Sequence, residues 1–228
     1  MKNLIVKVLI LFVVSLLTSC SKKEEIQIIP TPNTQFFNLK IGNKWVYKKY
    51  DNSGINPTQM AFTGEIDTVK IVSLETYQGL TFAKKSSHKI NVLYNYDEPV
   101  TYSYVRVNNL GHLIEIMNIY NSGIPTLTET DGLVLHPGLD QNYVYNQTFD
   151  YGSMEHHLYN STNINVEGNN YLVYPYKGNF TPNPAYSGLV SKTIEFNYKQ
   201  NVGLVKQVCH SVYGNYTWEK RLTSYELN

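Results

Sequence analysis

The residues best equipped for chemistry in this chain are its histidines, a few glutamates and its many tyrosines. His156 and His157 are adjacent. On an extended strand neighbouring side chains point to opposite faces, so this pair is poorly placed to close on one ion. Glu155 and His157 do share a face, but no second set of ligands at metal-binding spacing accompanies them. His88, His112, His136 and His210 are scattered beside turns or on strands. Serines are abundant, yet no Gly-x-Ser-x-Gly elbow occurs. Glu115, Glu195 and Glu219 fall on separate predicted strands, and a glycosidase pair would need two of them about 5–10 Å apart. No catalytic residue, metal site or cofactor is assigned, and no enzyme activity is expected. Tyrosines cluster on neighbouring stretches, and Tyr102, Tyr104, Tyr174 and Tyr176 form the candidate ligand-binding set. Exposed, their rings could stack on sugars; half-buried, they would simply fill the sheet with the hydroxyl left in water.

The most specific chemistry belongs to Cys20. Lys2 and Lys7 are followed by an uninterrupted apolar run over residues 8–17, which is short for a membrane span of about 20 residues but suits a signal-peptide core. Small residues, Thr18 and Ser19, stand immediately before the cysteine. Leu17-Thr18-Ser19-Cys20 resembles the lipobox of bacterial lipoproteins. That resemblance implies a signal peptide over residues 1–19, transfer of diacylglycerol to the Cys20 thiol, and further acylation, as with palmitate, after cleavage. Two or more chains hold a protein stably in a membrane, at about 0.8 kcal/mol per buried CH2. Residues 20–35, with Pro30-Thr31-Pro32-Asn33, read as a lipidated cysteine and an extended tether. Ser21 is not the aspartate that retains enteric lipoproteins in the inner membrane, so the outer membrane is the expected site. Lys23-Glu24-Glu25 is similar to the surface-export tag of Bacteroidetes lipoproteins and is equally a solvated spacer, so the cell surface and the periplasmic face both stay open.

The composition sets bounds on the rest. A formal net charge of +1 gives no field for nucleic acid, and none is expected as a partner. Twenty tyrosines and eight phenylalanines against four methionines favour strands over helices. With Cys20 consumed by lipid, Cys209 has no partner for a disulfide and is expected as a buried thiol.

Residues 36–228 then divide into short alternating segments separated by turn residues. Gly42-Asn43 precedes a strand over 44–50 carrying Trp45 and Tyr47 on one face. Strands are expected over 66–74, 80–84, 90–96, 100–107, 112–120, 132–135, 142–150, 164–166, 171–176, 193–199, 204–212 and 216–227, with the longest loop at 177–188. No 3.6-residue period persists for three turns. The expected fold is all-β: one domain of roughly ten to twelve antiparallel strands in a single curved sheet, barrel or half-barrel, with a β-sandwich as the alternative.

Two segments resemble uncharacterised Bacteroidetes lipoproteins: Leu39-Lys40-Ile41-Gly42-Asn43-Lys44-Trp45-Val46-Tyr47 near the start and Asn201-Val202-Gly203-Leu204-Val205-Lys206 near the end. Asn201 stands where the pattern has glycine, and asparagine tolerates the left-handed turn conformation. The resemblance implies a structural opening and closing of the sheet and carries no site residue. Asp67-Thr68-Val69 resembles the O-glycosylation sequon of exported Bacteroidetes proteins, making Thr68 a modification candidate. The resulting expectation is a membrane-anchored envelope lipoprotein with a non-catalytic binding or structural role. A glycan-binding module and a carrier of a lipophilic ligand are the alternatives, with a glycan or an envelope protein as partner.

Overall fold

The computed structural model describes residues 36–52, 59–119, 126–128 and 131–228. The signal segment, Cys20 and the tether lie outside the described residues. In chain order the strands are β1 (Lys44–Asp51), β2 (Ala61–Tyr77), β3 (Leu80–Asn91), β4 (Tyr96–Asp97), β5 (Thr101–Val107), β6 (Leu113–Ile116) and β7 (Leu133–His136). They continue with β8 (Val144–Phe149), β9 (Gly152–Leu158), β10 (Thr162–Val166), β11 (Asn169–Pro182), β12 (Lys192–Lys199), β13 (Gly203–His210) and β14 (Thr217–Glu226). All belong to one 14-stranded sheet ordered β7-β6-β5-β3-β2-β1-β14-β13-β12-β11-β9-β8, with β4 beside β3 and β10 beside β11. No ladder joins β7 to β8, so the sheet is curved but not closed into a barrel.

Curvature has a local cause. Register shifts interrupt the ladders at Val46/Tyr47, Lys48/Tyr50, Ile71/Ser73, Leu113/Ile114 and Asn197/Tyr198. Each extra residue bends its strand and adds twist. The main core fills the concave side: Trp45, Ile71, Val105, Leu113, Val205 and Leu222 are all buried there. A second cluster of Phe82, Tyr104, Ile116, Ile119 and Leu127 packs separately.

Several expected boundaries move. The strand placed over 90–96 ends at Asn91, where a turn begins, and the one over 112–120 is only Leu113–Ile116. No strand is expected from the sequence around His156 and His157, where the structure has β9. The first half of the loop expected over 177–188 is instead strand, because β11 runs on to Pro182 between β9 and β12, and only 183–188 remain loop. Gly178 reads as a loop residue but serves packing: a Cβ there would lie 2.5 Å from His156 Nε2 on β9.

The first and last parts of the sheet are tied across the concave side. Trp45 Nε1 donates to Val202 O at 2.6 Å, Tyr47 OH to Leu204 O at 3.0 Å, and Asn201 N to Phe36 O at 2.8 Å. Asn201 has φ 62° and Gly203 φ 107°, so the turn needs both left-handed positions. The two stretches singled out as opening and closing the sheet therefore bond to each other. Replacing Trp45 with Phe keeps an aromatic ring but leaves Val202 O without its donor. Urea titration should show a loss of about 1–3 kcal/mol with an unchanged m-value.

At the seam, β7 and β8 are consecutive in the chain, and residues 137–143 pass between them. His136 is fully buried there, with its ring stacked on Phe36 at 5.2 Å between centroids and tilted against Tyr198 at 4.7 Å. Its Nε2–H donates to Tyr174 O (3.0 Å), and its Nδ1 accepts Gly138 N–H (3.1 Å). Those two partners fix the neutral tautomer and bridge β7 to β11 by a side chain. Burial pushes the His136 pKa down to about 4, further helped by His112 and opposed by the Tyr174 carbonyl. The unfolded ring protonates below about pH 6.5, so the unfolded state holds more protons between about pH 6.5 and 4. Stability should therefore fall with pH across that window by about 3 kcal/mol from this residue and level off below it. Urea midpoints at stepped pH values should show a shallower slope in His136→Phe than in the parent, although the variant starts less stable at pH 7.

Candidate functional site

The concave side holds two neighbouring pockets. The first, of about 120 Å³, is walled mainly by apolar side chains, among them Trp45, Val69, Val105, Leu135 and Leu204. These come from β1, β2, β5, β7 and β13, which span the sheet order from its β7 edge to β13; one pocket can gather them because the sheet curls around it. Phe37 and Leu39, from the segment entering β1, complete the wall. The second pocket, of about 240 Å³, lies further along β1 and is polar, with Lys49, Glu65, Lys89, Gln207 and Trp218 around it.

Tyr47 and Lys220 line both pockets and form the partition between them. Lys220 Nζ sits 2.5 Å from Asp67 Oδ2 and 4.5 Å from the Tyr47 ring centroid. Ser87 Oγ donates to the other carboxylate oxygen of Asp67 at 2.6 Å. Burial lowers the Lys220 pKa, opposed by Asp67. The Tyr47 phenol is raised well above its ordinary value by burial, with Tyr198 and Asp67 adding to the effect. A second pair, Lys85 with Glu115, stands nearby, and Ser103 Oγ donates to Glu115 at 2.6 Å. Burial alone would raise Glu115, but the Lys85 ammonium and the hydrogen bonds from Lys85 and Ser103 hold it below the usual carboxylate range.

The expected site residues are dispersed. Tyr102 is exposed, with the Lys84 ammonium 5.0 Å from its ring centroid. Tyr104 is buried in the second cluster, and Tyr174 packs edge-on against Phe36. Tyr176 is 1% exposed, stacked on His156 at 5.3 Å. These four do not form an exposed platform, because the sheet turns Tyr104 and Tyr176 inward as packing rings. Thr68 is half-buried in mid-β2, paired with Val46 and His88, while Asp67 of the same sequon is committed to Lys220. Glu155 and His157 do meet, 2.5 Å apart, as an exposed pair. Glu115, Glu195 and Glu219 each take different lysines: Lys85, Lys177 and Lys206. Among the described residues no three His, Cys, Asp or Glu converge as a metal site. The Cys209 thiol is half-buried rather than buried, and desolvation pushes its pKa up.

Sequence reasoning missed Lys85, Lys220 and Trp218, and gave Glu115 and Asp67 other roles, as one of a glycosidase pair and as part of a sequon. A signal for two of them was present: Asp67 continues the Val69–Ile71 phase of β2, and Lys220 continues that of Leu222 on β14. A charge in the apolar phase of a strand points into the core, where it needs a partner.

No family model matches the chain, and no curated protein matches it. Two solved structures are similar. One is a protein of Bacteroides fragilis described as exported and as having a YmcC-like fold; the match covers 84% of this chain and 99% of that one, with a TM-score of 0.54 and 12% identity. The other, described as a lipoprotein of Parabacteroides distasonis, matches with a TM-score of 0.47 and 14% identity over 84% of this chain and 98% of that one. At 12% identity the first match speaks for the fold alone, an all-β architecture similar to that of the YmcC-like neighbour.

Asp67→Asn should cost about 1–3 kcal/mol, less than the ~3–5 kcal/mol of breaking a fully buried pair, because Lys220 keeps some solvent contact. The double variant Asp67→Leu, Lys220→Met should recover much of that loss. Urea midpoints of the parent, both single variants and the double variant close the cycle.

Proposed function

We propose that the protein is a lipid-anchored envelope lipoprotein, held in the outer membrane through Cys20, whose curved sheet carries an apolar group of a lipophilic ligand. The observation behind the carrier role is the apolar pocket that Trp45, Val69, Val105, Leu135 and Leu204 wall from five strands of the curled sheet. Its volume, about 120 Å³, is below the ~300–1,000 Å³ of sites that engulf a whole drug-sized ligand. It therefore suits one acyl segment or one ring and leaves the remainder of the ligand outside. The lipobox-like Leu17-Thr18-Ser19-Cys20 supports the anchor. The dispersal of Tyr102, Tyr104, Tyr174 and Tyr176 removes the observation that favoured a sugar platform at those residues.

The test is lipid extraction from protein purified out of native membranes, with mass spectrometry of what co-purifies. The parent should carry a bound lipophile in stoichiometric amount, and Leu204→Trp, which fills the pocket, should carry less than about a tenth of it. Cys20→Ala should leave the membrane fraction. An empty parent would remove the carrier role, and a Cys20→Ala protein that stays in the membrane would remove the anchor.

A further inference from the structure

The polar pocket beyond the Tyr47–Lys220 partition has a recognition chemistry of its own. Along β1 it lies at the Lys49–Asp51 end, where Asp51 pairs with Trp218, whereas the apolar pocket lies at the Trp45 end. Most of its charges are already matched: Lys220 with Asp67, and Lys49 with Glu65 at 3.2 Å. Lys89 is held less closely. Its carboxylate partner, Glu98, stands 3.7 Å away, and both side chains are about two-fifths exposed (42% and 41%). Two further groups remain unspent. Among the described residues neither the Gln207 amide nor the Trp218 indole N–H makes a hydrogen bond within the chain. Trp218 is half-exposed at the pocket wall, and the Lys49 ammonium lies 5.9 Å from its ring centroid.

We propose that this pocket binds an acidic saccharide unit, a sugar ring bearing a carboxylate or a phosphate. An aromatic wall takes the C–H face of a sugar ring, as such rings favour a partner with one apolar and one polar side. The Gln207 amide offers both donors and an acceptor to hydroxyls, and the indole N–H adds a donor. Glu65 accepts from further hydroxyls. The acid group falls to Lys89, whose loose pairing with Glu98 is easily exchanged because exposed ion pairs are worth little. A neutral sugar would leave that lysine unused, and a bare anion would leave the indole and amide unused.

The experiment is a titration of the detergent-solubilised lipoprotein, followed by tryptophan fluorescence and by calorimetry. The probes are glucuronate, glucose 6-phosphate, glucose and inorganic phosphate. Glucuronate or glucose 6-phosphate should bind at least about tenfold more tightly than both glucose and inorganic phosphate. The tighter of the two identifies the acid group. Lys89→Ala, on a side chain exposed enough to leave folding intact, should abolish the advantage of the acidic sugar over glucose. Trp218→Leu should weaken all sugars and remove the fluorescence change, since Trp45 is buried. Equal binding of glucose, equal binding of phosphate alone, or no binding of any probe would each overturn the proposal. Retention of the acidic-sugar advantage in Lys89→Ala would overturn it too.

Discussion

The hydrogen bond from Trp45 to the carbonyl of Val202 is the constraint on which the rest of the architecture depends. β1 and β13 are not neighbours; β14 lies between them. A side chain on β1 can reach the turn before β13 only by crossing the concave side, so the bond sets how strongly this part of the sheet is curled. Gly203 suits the crossing because its backbone sits at φ +107°, a conformation side chains rarely adopt, although a Cβ there would meet the indole Nε1 only at an ordinary contact distance of 3.6 Å. The indole itself then becomes a wall of the apolar pocket, and Tyr47, two residues on, repeats the crossing to Leu204. One short run of sequence thereby fixes curvature, closes one end of the interior and shapes its cavity.

The interior so enclosed is not uniformly apolar, and its division follows from where charges fall along the strands. Asp67 and Lys220 replace what alternation would fill with aliphatic residues, and each is satisfied: Asp67 by Lys220 and Ser87, Lys220 by Asp67 and the Tyr47 ring. A buried ion pair is weak evidence for stability, since hydrophobic replacements of similar volume often do as well. Its effect here is spatial. It sets a boundary between a lining that rejects water and one that holds it, and the boundary lies in the middle of β1 rather than at the rim.

Much of this was legible in residue order, and the failures are specific. Alternation located β1, β5, β12 and β14, and the absence of helical periodicity excluded helices, because a period of two survives in any sheet with one buried face. The pairing of the two resemblance segments was not legible, since which strands meet is a long-range property. β11 was cut short at residue 177 because Pro182 and Pro184 are strand breakers locally. In the fold Gly178 makes room for His156, and Pro182 is the last residue of the strand, where a missing N–H costs least. The tyrosines misled for a related reason. Tyr104 and Tyr176 have the composition of a platform, but exposure depends on which face each strand turns inward and what covers the other.

The seam between β7 and β8 is where the sheet substitutes side chains for a ladder. Elsewhere each strand is held by a row of backbone bonds, but here β7 is joined across the gap by His136 to Tyr174 O, by ring contacts with Phe36 and Tyr198, and by the His112–Asp140 contact at 3.3 Å. Side-chain contacts of this kind are fewer per residue than a ladder, and regions with fewer backbone bonds open at lower free energy than the body of a sheet. Leu135, one residue before His136, lines the apolar pocket. The strand that bounds the pocket on this side is thus laddered on one edge only, by β6, while β1, which supplies Trp45 and Tyr47, is laddered on both edges by β2 and β14. A closed barrel of the same strands would have no such side. The open ladder therefore leaves that side of the cavity to side-chain contacts, and the neutral state of His136 is what lets its ring both accept from Gly138 and donate to Tyr174 there.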